Sequence, residues 1–170
     1  MSTRTRVIAL TFAAIVGAVY VINPFGAPTW SIVGRLFGQQ IFRMPNAAMA
    51  PSLADGGTLR VCYSRSSLPL AIGDVVAFRT PDHGLLQIKR VAALGGSVIE
   101  IRDSVVMVDG HAIVDWFHAD IVYDYTRIMG ALAVPDGMVF LLGDNLARSR
   151  DSRIYGPVPD ESIVGRLCGV

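Results

Sequence analysis

From about residue 40 onward, short apolar runs alternate with turn-forming residues at close intervals. Pairs such as Gly56-Gly57, Gly95-Gly96 and Asp109-Gly110 separate the runs, and the last of these predicts a hairpin. The predicted strands are Gln40–Arg43, Thr58–Tyr63, Asp74–Arg79, Leu85–Leu94, Val98–Arg102, Val105–Val108 and Met138–Leu142. Because the strands are short and no long helical period lies between them, the pattern predicts an all-β, mainly antiparallel domain.

The N-terminal part differs from this pattern. Val7–Ile22 is apolar and uncharged and follows Arg4 and Arg6. As a helix it would be about 24 Å long, against a hydrocarbon core of about 30 Å. Hydrophobic residues make up 52% of the chain and the mean hydropathy is +0.46, more than we expect of a freely soluble enzyme. We therefore expect an N-terminal transmembrane helix.

The arginines before the apolar run predict that its N-terminal side stays in the cytoplasm. A cleavable signal peptide and a buried helix of a soluble domain are alternatives, but no clean Ala-x-Ala site follows the run, which favours an uncleaved anchor. The predicted organisation is a cytoplasmic N-terminus at 1–6, an anchor at 7–22, a juxtamembrane connector at 23–40, and an extracytoplasmic β domain at 41–170. A smaller β-ribbon excursion is expected near 103–136.

Charge and cysteine content exclude two classes of function. The chain has 15 Lys and Arg against 14 Asp and Glu and no basic block, so nothing indicates a nucleic-acid partner. The only cysteines, Cys62 and Cys168, have no spacing that would hold zinc, and we expect neither a metal nor a cofactor. A disulfide between them could form outside the cytoplasm, but we prefer the interpretation that both are free, buried thiols.

Lys89 is the only lysine in a chain with fourteen arginines. Arginine stays protonated in proteins, whereas burial can make a lysine neutral, so that it can act as a general base. Lys89 lies in an alternating apolar run next to Ile88 and Val91, which would supply the burial. An ordinary lysine retained by chance is the alternative, and the neighbouring motifs decide between the two.

Four motifs in order resemble the conserved boxes of type I signal peptidases, also called leader peptidases. They are Met44-Pro45-Asn46-Ala47-Ala48-Met49-Ala50-Pro51-Ser52-Leu53, Gly73-Asp74-Val75-Val76, Lys89-Arg90-Val91, and Gly143-Asp144-Asn145 through Ser149-Arg150-Asp151-Ser152-Arg153 to Gly165-Arg166. The resemblance covers roughly residues 41–167. It implies a membrane-anchored serine endopeptidase with a Ser–Lys dyad on a coiled β-fold of the signal-peptidase and LexA type. Such enzymes cut exported preproteins after small residues.

The resemblance implies a role for each matching residue. Lys89 is the general base, Ser149 orients its amine, and Asp144, Asp151 and Arg153 form a buried ion-pair cluster that shapes the site. Met49 and Pro51 match substrate-binding positions. The implied partners are exported preproteins and the lipid bilayer, and the implied location is a bacterial plasma membrane, with a single span and the catalytic domain in the periplasm or outside the cell.

One departure from the family pattern concerns the nucleophile, because Ala48 occupies the position of the attacking serine. Asn46 stands where the family has a serine that helps the backbone N–H of residue 48 to form the oxyanion hole, and an Asn amide can donate the same hydrogen bond. Ser52 is a poor substitute nucleophile, because the family carries Thr or Ser there in a structural role. Loss of the nucleophile lowers turnover by roughly six orders of magnitude in serine proteases.

Two interpretations of Ala48 remain open at this stage. The chain is either an otherwise active peptidase with a deliberate Ser-to-Ala change, or a natural homologue without catalysis that binds precursors or partner proteins. In either case we expect the chain to bind peptide with very little cleavage.

Two smaller features complete the predictions. Trp116-Phe117-His118 reads as a small hydrophobic cluster, with insertion of the aromatic rings into the membrane as the alternative. The histidines at 83, 111 and 118 read as surface residues.

Overall fold

The computed structural model describes residues 38–62, 69–102, 105–113, 116–117 and 129–169. The anchor predicted at 7–22 and nearly all of the connector at 23–40 lie outside the described residues. Within those five ranges, no helix is both long enough and apolar enough to cross a membrane.

Seven strands of the described chain form the main sheet: β1 Gln39–Arg43, β2 Thr58–Cys62, β3 Val75–Arg79, β4 Leu86–Leu94, β9 Met138–Leu142, β10 Val158–Pro159 and β11 Ile163–Gly169. Their spatial order is β1-β2-β11-β3-β4-β9-β10. The pairs β2/β11, β11/β3, β3/β4, β4/β9 and β9/β10 are all antiparallel. The predicted mainly antiparallel β-fold is therefore confirmed.

A second sheet of four antiparallel strands has the order β7-β6-β5-β8. Its strands are β5 Val98–Arg102, β6 Val105–Val108, β7 His111–Ile113 and β8 Met129–Ala133. The hairpin between β6 and β7 turns at Asp109-Gly110, where both residues have positive φ, which is the turn that this dipeptide favours. Strands β6, β7 and β8 lie within residues 103–136, where the sequence predicts the β-ribbon excursion, and β5 precedes that range.

Three hydrophobic clusters hold the sheets together, and strand β4 contributes to each of them. Ile88 belongs to the cluster around Met49 and Val61, Val91 to the one around Phe78 and Leu141, and Ala92 to the one between the two sheets. Because apolar side chains of β4 are buried on both faces, the strand has little freedom to shift. It therefore gives the residues it carries a fixed position.

Trp116 and Phe117 belong to the cluster between the sheets. Phe117 is 8% exposed, and Trp116 packs edge-on against it and lies close to Gly73. The hydrophobic-cluster interpretation therefore describes both residues. His83 and His111 are exposed, while His118 lies outside the described residues.

Strand β11 is a central strand that the sequence analysis did not predict. Its two glycines weaken the strand pattern, but Gly165 is required by close packing, since a Cβ there would lie 2.6 Å from Val61 Cγ1 and 2.8 Å from the Cys62 carbonyl oxygen. A glycine inside a strand can mark such a close approach of two backbones.

Cys62 and Cys168 form a disulfide that joins β2 to β11. The preference for two free thiols was therefore wrong. The reason is the register of the two strands, which pairs Arg166 with Cys62 and brings the Cα atoms of the two cysteines within 5.7 Å although they are 106 residues apart.

We predict that removal of this disulfide destabilises the β domain by about 2–4 kcal/mol, because the crosslink restricts the unfolded chain over a long loop. The measurement is chemical unfolding of the full chain in detergent, comparing the parent with the double variant Cys62→Ala/Cys168→Ala. A reductant should lower the stability of the parent and leave that of the double variant unchanged. Equal stability of parent and double variant would contradict the prediction.

Candidate active site

Lys89 lies in the middle of β4, where it pairs with Val76 of β3. Its side chain is only 4% exposed, and its Nζ donates a hydrogen bond to the Ile88 carbonyl oxygen at 3.2 Å. Burial lowers the pKa of the Lys89 amine, while the charges of Asp151 and Asp144 oppose the shift and that of Arg153 adds to it. The amine therefore deprotonates more readily than an exposed lysine does.

Each of these two carboxylates is held by an arginine of its own. Asp144 is fully buried and accepts two hydrogen bonds from Arg90, at 2.8 Å from Nε and 2.6 Å from Nη2. Asp151, also fully buried, accepts two from Arg153, at 2.8 and 2.9 Å. Because each negative charge is matched locally, neither carboxylate is left free to form a close ion pair with Lys89.

Arg90 is the site residue to which the sequence analysis assigned no role. We expected Asp144 to join a cluster with Asp151 and Arg153, but its partner is Arg90, the residue that follows Lys89. The Arg90 guanidinium also donates to the Gly73 carbonyl oxygen at 2.8 Å and lies 5.4 Å from the ring centroid of Trp116. The sequence signal for a buried ion pair was a charged residue within the apolar run of β4, since a buried arginine requires a buried partner.

Ala48 lies in a short 3₁₀ turn, Ala47–Met49, and is 3% exposed. Asn46 caps this turn, because its Oδ1 accepts a hydrogen bond from the Ala48 N–H at 3.1 Å. The two groups expected to line the oxyanion hole are therefore adjacent, and in this structure they are bonded to each other. For the Ala48 N–H to bind a substrate oxygen, this hydrogen bond has to open.

Ser149 is brought to the Ala48 segment by Gly143. A Cβ at Gly143 would collide with the side chain of Ser149 and lie 2.5 Å from the Ala48 carbonyl oxygen, so only glycine allows all three to pack. The same carbonyl accepts a hydrogen bond from the Asn145 N–H at 3.1 Å. The loop after β9 is thereby fixed against the 3₁₀ turn.

The Ser149 hydroxyl is buried and, among the described residues, has no hydrogen-bond partner. The hydrogen bond with Lys89 that the resemblance implies is thus not formed in this structure. Arg153 holds the carbonyl oxygen of Ser149 at 3.1 Å, which keeps the residue in place and leaves its hydroxyl available.

Ala48 and Lys89 line one groove with a cavity volume of about 420 Å³. Its walls are the end of β1, the Met44–Asn46 segment, residues 85–89, and Arg148 with Arg150. Strand β4 pairs with β9 only from Arg90 onward, so within the described chain no strand pairs with Leu86–Lys89 on that side. The groove therefore runs along an open sheet edge.

Three residues that the sequence analysis considered as substrate-binding or nucleophilic do not line this groove. Met49 is fully buried in a core cluster, while Pro51 and Ser52 are exposed, and none of the three lines the 420 Å³ cavity. Ser52 lines a separate small cavity with Leu53 and Thr58. The structure thus brings together Asn46, Ala48 and Lys89 in the groove and does not bring Ser52 to Lys89.

Residues 3–169 match the family described as "Signal peptidase, peptidase S26". The chain belongs to this family. It is 33% identical over 140 residues to the probable signal peptidase I-1 of Synechocystis sp., covering 77% of this chain and 70% of that protein. It is 31% identical over 136 residues to signal peptidase I V of Bacillus subtilis, covering 73% and 80%.

The fold is similar to that of a solved family member as well. A crystal structure of a signal peptidase I from Enterococcus faecalis superposes with a TM-score of 0.54 at 31% identity, covering 61% of this chain and all of that one. The resemblance drawn from the sequence motifs is therefore confirmed. The chain belongs to a family of serine peptidases, which are hydrolases.

We predict that Gly143→Ala destabilises the protein by about 1–3 kcal/mol, because the added methyl group forces Ser149 and the Ala48 carbonyl apart. Gly130→Ala is the matched control, since Gly130 lies in β8 with nothing within 4 Å of an added Cβ. Thermal unfolding of the two variants measures the difference. Equal unfolding temperatures would show that the loop after β9 does not depend on the absence of a side chain at 143.

We predict that Lys89→Met raises the free energy of unfolding by about 1–3 kcal/mol at neutral pH, because the buried amine is replaced by an apolar side chain of similar length. The Lys89 pKa is lowered in the folded state, so the amine costs stability below that pKa, and the cost disappears as the pH approaches the ordinary lysine value. The advantage of the variant should therefore shrink as the pH rises.

Urea unfolding at several pH values tests this prediction, with Arg60→Met on the exposed face of β2 as the control. The control should show a small effect of pH on the difference from the parent. A Lys89→Met advantage that stays constant or grows with pH would contradict a lowered pKa.

Proposed function

We propose that the groove along Leu86–Lys89 binds the cleavage region of exported preproteins as an extended strand. Family membership supports this proposal, since signal peptidases remove signal peptides from preproteins. The observation that carries it is that the open edge of β4 lies in the same groove as Ala48 and Lys89. An extended peptide can add to such an edge through its main chain.

The side-chain preference follows from the family. We propose that the groove accepts Ala or Gly immediately before the scissile bond and another small residue two positions earlier. Met44 and Ile88 lie in the groove wall beside Ala48, and apolar side chains of this kind suit short apolar groups.

The chemistry proposed for a serine at position 48 is a Ser–Lys mechanism. The neutral Lys89 amine would take the hydroxyl proton while the oxygen attacks the peptide carbonyl carbon, and the amine would then give that proton to the departing amino group. The Asn46 amide and the backbone N–H of residue 48 would stabilise the oxyanion. A water molecule would then give a proton to the Lys89 amine and attack the acyl-ester carbon, and the oxygen of residue 48 would leave and take up that proton.

With Ala48 in place, these steps cannot begin, because a methyl group has no acidic proton and no lone pair with which to attack. We propose that the chain as given binds a precursor and holds it without cutting. The exposed position of Ser52, outside the groove, supports the view that it does not replace the missing hydroxyl.

We further propose that residues 7–22 anchor the protein in the bacterial plasma membrane, with the β domain on the extracytoplasmic side. The Cys62–Cys168 disulfide supports this location, because disulfides persist in oxidising compartments and are rare in the cytosol.

The experiment that tests the proposed function is restoration of the hydroxyl. Ala48→Ser should raise cleavage of a preprotein in detergent by several orders of magnitude over the parent, and Ala48→Ser/Lys89→Ala should abolish the gain. Since the Lys89 pKa is lowered, the restored activity should rise with pH and reach its plateau below the ordinary lysine pKa.

The parent and the two variants together distinguish the two interpretations of Ala48. Recovery that depends on Lys89 identifies a peptidase that lacks only its nucleophile. A parent that binds preprotein, with no recovery in Ala48→Ser, identifies a binding homologue. Cleavage by the parent would contradict the proposal, because it would require a nucleophile outside the described mechanism.

A further inference from the structure

The groove carries an excess of positive charge that the chain as a whole does not have. Arg43, Lys89, Arg148 and Arg150 line it, and among the described residues no aspartate or glutamate lies in its wall. The whole chain is nearly balanced, with 15 basic and 14 acidic residues. The cations are therefore concentrated where the substrate is proposed to bind.

Three of the four cations are buried or bonded to neighbouring residues. Lys89 is buried and has a lowered pKa. Arg150 lies 3.2 Å from Asp82 in the loop between β3 and β4, and Arg43 donates from its Nε to the Gly56 carbonyl oxygen at 3.1 Å. Of the four, Arg148 is the one for whose side chain the described residues supply no partner.

Arg148 is exposed, and its guanidinium makes no ion pair or hydrogen bond with any residue in the described part of the chain. Its backbone is nevertheless fixed, because its N–H donates to the Asn145 carbonyl and side-chain oxygens, each at 3.2 Å. It directly precedes Ser149, which packs against Gly143 beside the Ala48 carbonyl. Among the described residues, Arg148 is thus an unpaired cation on a fixed backbone, in the wall of the groove that Ala48 and Lys89 also line.

We propose that Arg148 is a specificity-determining residue that selects precursors with an aspartate or glutamate close to the scissile bond. This inference rests on the proposed function, because it concerns the peptide in the same groove. A guanidinium pairs with a carboxylate through two charge-assisted hydrogen bonds, which gives direction as well as attraction. Within the described part of the chain, no carboxylate in the groove wall competes for that position.

The preference is modest in size, because Arg148 is exposed and salt screens its charge. An exposed ion pair corresponds to a change of about two- to fivefold in affinity, and partial exclusion of water by the bound peptide raises this to as much as about tenfold. The preference decreases at high ionic strength.

The test measures binding of fluorescent peptides to the full-length protein in detergent. The reference peptide has an Ala-x-Ala cleavage region and no acidic residue. In a series of matched pairs, one flanking position at a time carries either Asp or Asn. The quantity compared is the ratio of the dissociation constants of the Asn and Asp peptides, at low and at high salt.

For the parent, the ratio should reach about three to ten at one or two positions and fall at high salt. Arg148→Gln should bring it close to one, and Arg148→Glu should invert it, so that the Asn peptide binds better than its Asp counterpart. Arg60→Gln, which removes an exposed arginine of β2 outside the groove, should leave the parental ratio.

The outcomes distinguish failure of the inference from failure of the proposed function. If the reference peptide binds and the parental ratio is one at every position, the selection for acidic residues is overturned while the binding function stands. A ratio that persists in Arg148→Gln overturns the assignment to Arg148. If the reference peptide does not bind at all, the proposed function is overturned and the inference with it.

Discussion

A buried amine beside two buried carboxylates is the constraint on which the rest of the site depends. An unpaired lysine in this position would ordinarily take a proton and form an ion pair. Arg90 and Arg153 oppose this, because each binds one carboxylate through two hydrogen bonds, and burial is then the largest influence on the Lys89 pKa. The arginines therefore do more than stabilise loops: they keep the carboxylates from holding the Lys89 amine in a close ion pair.

One of these carboxylates, that of Asp151, also explains why the loop after β9 is packed so closely. Asp151 accepts hydrogen bonds from the Gly143 and Arg153 N–H groups as well as from the Arg153 guanidinium, so one carboxylate fixes both ends of the segment that carries Ser149. Gly143 then lets that segment reach the Ala48 carbonyl. A change in any of these contacts would move the Ser149 side chain, even though the changed residue need not touch a peptide.

The sequence predicted the fold class and seven of the strands, because alternation and turn dipeptides are local signals. It did not predict β11, whose Gly165 looks unfavourable until the contact with Val61 is known, nor the pairing of Cys62 with Cys168, which depends on strand register. Lys89 stood out as the only lysine, whereas its hydrogen bond with Ser149, expected from the resemblance, is not formed in this structure, and the partner of Asp144 required the fold. Contacts between residues far apart in sequence are what local patterns leave out.

The most direct test of this account is the titration of the Lys89 amine. Lys89 is the only lysine in the chain, so NMR of a sample labelled only in lysine gives a side-chain signal from this residue alone. The account predicts a pKa clearly below the ordinary value, and a shift back toward that value when a conservative change at Arg90 or Arg153 leaves one carboxylate unmatched. A titration near about 10.4 in the folded parent would contradict it.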